Sequence, residues 1–465
     1  MATLGPIHRS VPTNVGGVAT RAASGAPVTA PTPADLIRAW PSDRPLGVVY
    51  RAGDHGVSRR TLLVSPKETR FVLAPRDGER RSPLDEIEGV WASTRRIGDA
   101  RQTGPSIGAG DAPESGWLTA LSYELGRWIE PSVDGRARVG EQPLAALQRF
   151  EAALVFDHAI ARWSATGMHN TELPRLDLSP LGRTGNLGGE PPRVCLTEPS
   201  DSTRARYESG VARAIEYIRA GDAFQVNLAH ALHGRFTGSR RDLAAALLEH
   251  SGAWHGSYME LDDQRAILSL SPELFVDYRD ERRRAVMRPM KGTRPATIDP
   301  AELARSPKDH AELAMIIDLV RNDLGRVAEF GSVCVEDERA IEHHGGIDPG
   351  RGVWQGVATI AATLREGQGP IDLVRAAFPS GSVTGAPKVR AMQIIDELEE
   401  FTRGFYCGSL GVANDAGDLS LSVAIRTAMI EDDRVVFPVG AGIVADSSPG
   451  DEWRETLAKS GVLRG

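Results

Sequence analysis

The chain has 465 residues, of which 41% are hydrophobic and 25% charged, and its formal net charge is −8. This is the composition of an ordinary globular protein; the acidic balance gives no reason to expect nucleic acid, and no apolar run approaches the ~18 residues that a membrane-spanning helix needs. Three cysteines, Cys195, Cys334 and Cys407, are scattered without CxxC spacing, which speaks against a disulfide framework or a zinc site and for a reducing cytoplasm.

Residues 1–34 contain no acid and are rich in Ala, Gly, Thr and Pro. They lack the apolar core of a secretory signal, so a disordered extension is expected, with a transit peptide as the alternative. Residues 35–163 hold short apolar runs bounded by turn residues, as in Gly47–Tyr50, Phe71–Ala74 and Ala152–Phe156, which predict strands. Residues 164–198, with Gly, Pro, Asn and Ser and few apolar side chains, are expected to form a linker to a second region, 199–465. That region opens with helical periodicity over Thr203–Ala220, carried by Tyr207, Val211, Ala214, Ile215 and Ile218, and Gly221-Asp222 ends it before the strand-like Phe224–Leu228. Further strand patterns at Ala266–Leu270 and Glu273–Tyr278 lead into Arg288-Pro289-Met290-Lys291-Gly292-Thr293-Arg294-Pro295.

Lysine is rare in this protein. Of 54 basic residues only Lys67, Lys291, Lys308, Lys388 and Lys459 are Lys. A lysine kept against that bias suits chemistry that guanidinium cannot do, such as losing its proton to act as a nucleophile. Pro289 fixes φ on one side of Lys291 and Gly292 allows close backbone approach on the other. Arg288 and Arg294 add positive charge that favours the neutral amine. An ordinary surface lysine in a turn is the alternative reading of these eight residues.

Ser306-Pro307-Lys308-Asp309 predicts a capping box, followed by a helix through Leu313, Ile316, Ile317, Val320 and Leu324. Capping explains Asp309; Glu312, three residues on and beside the apolar stripe, is a metal candidate. The last helix starts at Ser448-Pro449 and places Glu452, Glu455 and Lys459 on one face, where acids at a helix N-terminus and a favourable Glu455–Lys459 pair are the simpler explanation of the residues alone. Between these helices, the small-residue loop Phe378–Lys388 lacks the Gly-Lys-Ser/Thr ending of a phosphate loop, yet at a helix N-terminus it can hold a carboxylate. Gly440–Ile443 reads as a second small-residue turn, and Arg426, on the strand-like Leu421–Arg426, supplies a bidentate carboxylate partner.

The order of these motifs over Ser202–Gly461 resembles the chorismate-utilising enzymes: anthranilate synthase large subunit, aminodeoxychorismate synthase component I, and the isochorismate and salicylate synthases. Trp117–Pro131 is similar to the amino-terminal region shared by the first two. The resemblance implies an α/β (α+β) fold, a large sandwich of mainly antiparallel sheets flanked by helices, with the active site in a cleft between its two halves. It implies Mg²⁺ held by Glu312 and Glu455, with Asp309 and Glu452 as supporting acids. It further implies chorismate contacts from Gly292, Thr293, Thr384, Tyr406, Arg426, Lys459 and the Gly440-Ala441-Gly442 backbone, and Glu273 as general acid/base.

Gln225 stands where the water-using relatives carry a lysine that activates water, which implies ammonia as the nucleophile. Lys291 in Pro-x-Lys-Gly-Thr resembles the aminodeoxychorismate synthases, whereas anthranilate synthases carry alanine there. The implied reaction converts chorismate and ammonia to 4-amino-4-deoxychorismate through a covalent Lys291 intermediate. No cysteine sits in a Gly-x-Cys-x-Gly elbow, so a separate glutamine amidotransferase is the expected partner, and the chain ends too soon after its last helix for a fused aminodeoxychorismate lyase. Two departures stand out. Gln355 replaces the histidine usual in relatives and cannot act as a general base, and Gly256–Met259 replaces a Pro-Tyr-type sequence of tryptophan-binding relatives. The neighbouring pair His343-His344 offers a histidine that could compensate for Gln355, with exposed loop histidines as the expected reading. An anthranilate-type enzyme, or a chorismate-binding protein that has lost turnover, are the alternatives.

Overall fold

The structure, a computed structural model, describes residues 30–51, 59–75, 79, 81–95, 113–133, 142–168, 171, 173–176, 192–345 and 352–463. Most of the expected amino-terminal extension and the centre of the expected linker lie outside the described residues. The last part of the extension, from Thr32, is the capped start of the helix Pro33–Arg38. The linker stretch begins within the strand Arg162–Gly167 and ends just past the strand Val194–Leu196.

Two large sheets face each other, and all strand pairs are antiparallel. Across the first sheet run Gly385–Ala386, Gln225–Phe236, Arg434–Ile443, Thr427–Glu431, Arg265–Ser269, Gly256–Glu260, Gly47–Tyr50, Arg60–Val64, Ala152–Asp157 and Arg162–Gly167, with Val194–Leu196 added on Gln225–Phe236. Across the second run Met290–Pro295, Val353–Thr363, Arg284–Arg288, Leu274–Arg279, Leu419–Val423, Ser409–Asn414, Gly116–Leu121, Pro143–Phe150 and Glu68–Leu73, with Cys334–His344 added on Val353–Thr363. Residues on either side of the expected linker therefore share both sheets.

Alternation explains the layering. Side chains of successive residues leave opposite faces of a strand, so strands with continuous burial must be covered on both sides. Val49, Val64, Leu118, Phe150, Met259, Ile267, Leu410 and Val412 form a core between the sheets. Leu36, Ile37, Leu243, Leu247 and Leu248, from Pro33–Arg38 and Arg240–Ser251, pack on the outer face of the first sheet with Tyr258, Leu268 and Phe437. The largest core joins Phe275, Tyr278 and Ile360 of the second sheet to Leu313, Ile316 and Val320 of the helix Pro307–Gly325, and continues to Val226, Ala441 and Trp453. It thus binds the lysine-bearing strand region to the elements carrying the other candidate residues.

Local predictions differ in three places. Gly440–Ile443 is the end of the strand Arg434–Ile443, because it pairs residue by residue with Val226–Ala229. Arg426 lies beyond the strand Leu419–Val423, at φ +52°. Lys291 sits in the strand Met290–Pro295 and not in a turn; the register slips between Lys291 and Thr293, with Gly292 at φ +81°.

Candidate active site

The bulge at Gly292 brings the lysine strand against a helix. A Cβ at this position would fall 2.8 Å from Leu303 Cδ1 and 2.9 Å from Asp309 Oδ1, so only glycine meets both the backbone angle and the approach. Past the bulge, Lys291 Nζ lies 2.9 Å from Glu312 Oε2. The same amine comes close to the first sheet: a Cβ on Gly442 would lie 3.1 Å from Lys291 Nζ and 3.2 Å from Gln225 Nε2. Gln225 is fully buried, and neither its amide oxygen nor its nitrogen has a hydrogen-bond partner. A buried amide left so is costly unless something else completes it, which marks this pocket as a place for a ligand.

Glu273 lies within electrostatic reach of Lys291. It is buried, and Ser382 Oγ donates to its Oε1 at 2.6 Å. Burial pushes its carboxyl up to about 7, against the Ser382 hydrogen bond, the Lys291 charge and the Met290 N–H, which all favour the carboxylate. A carboxyl poised near neutrality beside an amine is suited to proton transfer. Sequence reasoning missed Ser382, whose small-residue loop carries no sign of a target from the second sheet.

The glutamates converge through shared lysines. Lys308 Nζ is 3.9 Å from Glu312 Oε1, and Lys291 and Lys308 also act on Glu455. Burial raises the Glu455 carboxyl, but Lys459, 2.9 Å away, and then Lys291 and Lys308 outweigh it and hold the group below its ordinary value. In Glu452 burial prevails and the carboxyl is raised, although Ser447 donates to it at 2.6 Å. Asp309 is not simply explained by capping. Ser306 accepts from its N–H, but its carboxylate binds Arg294 at 2.7 Å. Arg288 is likewise bound to Glu342. Neither arginine presents an unbalanced charge to Lys291, contrary to the sequence expectation. Among the described residues no three His, Cys, Asp or Glu side chains converge on one point. Two hard carboxylates without His or Cys nonetheless fit Mg²⁺, which takes one or two protein carboxylates and completes its shell with water and substrate oxygen.

Cationic and small groups line the rest. Arg426 is half-buried with no acidic partner among the described residues, and burial lowers its pKa. An unpaired guanidinium away from water is a seat for a carboxylate. Lys459 Nζ donates to the Gly440 carbonyl at 2.7 Å, and a Cβ on Gly440 would fall 2.9 Å from the Tyr406 hydroxyl. Ala441, fully buried, pairs with Leu228 between those two glycines. Thr293 faces Gln355 across the strand pair. Thr384 Oγ1 donates to Ser380 O at 2.9 Å, and its carbonyl accepts from Asn227 N at 2.8 Å; the threonine pins its loop to the Gln225 strand. Arg403, 1% exposed and absent from the sequence reading, donates to Val383 O, Asn227 O and Glu399, tying the same loop and strand from beneath. His343 and His344 are not exposed in a loop. They end the strand Cys334–His344, and His344 is buried.

The chain is similar to proteins of known kind. A family model described as chorismate binding enzyme matches residues 60–465. Aminodeoxychorismate synthase component 1 of Escherichia coli is 37% identical over 441 residues, covering 90% of this chain and 92% of the relative. Anthranilate synthase component 1 of Thermus thermophilus is 39% identical over 420 residues, covering 87% and 86%. Among solved structures, anthranilate synthase component I from Streptococcus pneumoniae aligns over 88% of this chain and 92% of its own with a TM-score of 0.68 at 24% identity, which bears out the expected sandwich fold. With its two antiparallel sheets and with relatives above 30% identity along nearly its whole length, the chain belongs to the chorismate binding enzyme family.

Proposed function

We propose that this chain is the chorismate-aminating component of an aminodeoxychorismate synthase, converting chorismate and ammonia to 4-amino-4-deoxychorismate. The observation that carries the reading is the position of Lys291: its amine meets the buried, unpartnered Gln225 amide over Gly442 and lies in electrostatic reach of Glu273. Neutral Lys291 attacks C2 of chorismate while the C4 hydroxyl leaves, taking the Glu273 proton and departing as water. Ammonia then attacks C4 and expels the lysine, with one proton of the nitrogen returned to the cleft. Gln225 offers an amide but no base, which suits an ammonia nucleophile that needs no activation. Arg426, Lys459, Tyr406 and the Gly440–Gly442 backbone orient the two substrate carboxylates.

Glu312 and Glu455, with Glu452 beside them, would hold Mg²⁺. When bound, that ion supplies positive charge to the substrate's ring carboxylate, which the glutamates would otherwise repel. Lys291 Nζ, 2.9 Å from Glu312 Oε2, would give up this carboxylate if Glu312 held the ion, and its neutral form would then be favoured.

Ammonia would come from a separate glutamine amidotransferase. Cys407 is buried and its thiol is pushed up to about 12, the reverse of what a glutaminase nucleophile requires. The relatives' names, component 1, are in keeping with a second component. Because the enolpyruvyl group is retained, a downstream aminodeoxychorismate lyase would be needed to form 4-aminobenzoate. An anthranilate-type reaction is the second reading, favoured by anthranilate synthases of similar identity. Peptide mapping after incubation with chorismate and Mg²⁺ without ammonia separates the two. A chorismate adduct on Lys291, discharged by ammonium, is expected; no adduct together with anthranilate formation once ammonium is added would overturn the reading.

A further inference from the structure

A second buried polar cluster lies within electrostatic reach of Arg426, and neither the lysine nor the glutamates use it. The strand Val353–Thr363 runs between Met290–Pro295 and Cys334–His344, and the register aligns Thr293, Gln355 and Glu342 in one cross-strand row. Opposed residues share a sheet face, as do residues two apart along a strand, so His344 follows Glu342 on this face. Arg288 binds one oxygen of Glu342, while the other lies 3.3 Å from His344 Nε2. Trp254 covers the imidazole, stacked with ring centroids 4.0 Å apart. His344 is 4% exposed, and its Nδ1 is enclosed without a hydrogen-bond partner.

Half of this arrangement is complete. Glu342 accepts from Nε2–H and fixes the ring, as a carboxylate does for a working histidine. The other nitrogen has nothing to bind. Arg426, the unpaired guanidinium, is near enough for its charge to bear on the ring. A carboxylate docked on Arg426 would remove that opposing charge and give Nδ1 an acceptor.

We propose that His344 is a substrate-binding residue that takes up one proton from solvent as a substrate carboxylate docks on Arg426, and then donates from Nδ1 to that carboxylate. This rests on the reading that chorismate, a dicarboxylate, occupies the cleft. In the free protein burial foremost disfavours the charged ring; Glu342 opposes that effect, and Arg288 and Arg426 add to it. The ring is faced by Glu342 from its own strand, Arg288 from Arg284–Arg288, Arg426 from the segment after Leu419–Val423, and uncharged Trp254. Glu273, at about 7, also titrates in the cleft, so the role of His344 must be read as a difference between variants.

The test is calorimetric binding of chorismate to the full chain with Mg²⁺ and no ammonia, at pH 7.5, in two buffers of different ionisation heat. Wild type should take up close to one proton more per chorismate than His344→Phe, which keeps the stack on Trp254. The affinity advantage of wild type over His344→Phe should be about tenfold at pH 7.5, larger at lower pH, and all but vanish by about pH 9.5. His344→Gln, which donates without titrating, should keep part of the affinity and lose the proton uptake. Equal proton uptake and affinity in wild type and both variants would overturn the role of His344 while leaving the cleft as a chorismate site. Failure of wild type to bind chorismate at any pH would overturn both.

Discussion

Glu273 shows how far surroundings can retune one residue. As an acid it must be protonated to help the hydroxyl leave, and its carboxyl, raised to about 7, is protonated below that pH and ionised above it. At constant free ammonia, the slope of log kcat/KM for chorismate against pH is therefore expected to decrease by about one unit near pH 7, where Glu273 loses its proton, on top of the rise that deprotonating Lys291 contributes. Ser382→Ala removes a hydrogen bond that favours the carboxylate, so the break in the profile should move up by about one pH unit. A profile that Ser382→Ala leaves in place would show that another group controls it. Lys291 drew attention because lysine is so scarce in this sequence, and Glu312 because an acid beside an apolar helical stripe needs a reason; the structure places the two 2.9 Å apart. The burial of His344 was not legible: its stacking partner, Trp254, lies in the turn before the strand Gly256–Glu260, far away in sequence, so the histidine pair was expected to be exposed. Arg403 and Ser382 were missed for the same reason, since each serves a group that is remote in sequence.

Elements set the distances on which the chemistry depends. The helix Asp201–Arg219 and the strand Leu274–Arg279 follow their apolar periods to within a few residues. The Gly440–Ile443 segment did not, because a run of small residues signals a turn equally well as a strand whose face must admit another group. Here the second holds, and the open face of Gly442 admits the end of Lys291 from the other sheet. Gly442→Ala needs no unusual backbone angle, and its methyl group would meet only the ends of Lys291 and Gln225. Unfolding free energy should thus change by less than about 1 kcal/mol, while turnover drops at least roughly tenfold through the displaced amine. Denaturant melts and steady-state rates on the same preparation check this; a fully active alanine variant would place the reacting amine elsewhere.

At the scale of the whole molecule, the amino-terminal region and the catalytic region are not independent. Gly47–Tyr50 pairs with Gly256–Glu260 in one sheet, and Gly116–Leu121 pairs with Ser409–Asn414 in the other. A fragment of residues 199–465 would expose both edges and half of the core between the sheets, and unpaired apolar edges aggregate. It is expected to be insoluble or to lack cooperative unfolding, as solubility and calorimetry would show; a soluble fragment that consumes chorismate would contradict the shared-sheet dependence. The layered α/β sandwich was foreseeable from the motif order, but this interleaving was not. Short apolar runs reveal that strands exist, whereas their partners are chosen by packing across the whole chain. The buried pair Arg403–Glu399 belongs to this scale too: Arg403→Ala takes the neighbouring cation from a buried carboxylate and should cost about 3–5 kcal/mol in a denaturant titration.

The most direct measurement of the proposed reaction is a product analysis with chorismate, Mg²⁺ and an ammonium salt at alkaline pH, where free ammonia replaces the amidotransferase. Mass spectrometry should find a chorismate-derived amine without pyruvate, and Lys291→Ala should abolish it. Anthranilate with an equal amount of pyruvate, or an amine that persists in Lys291→Ala, would contradict the assignment of Lys291 as the nucleophile.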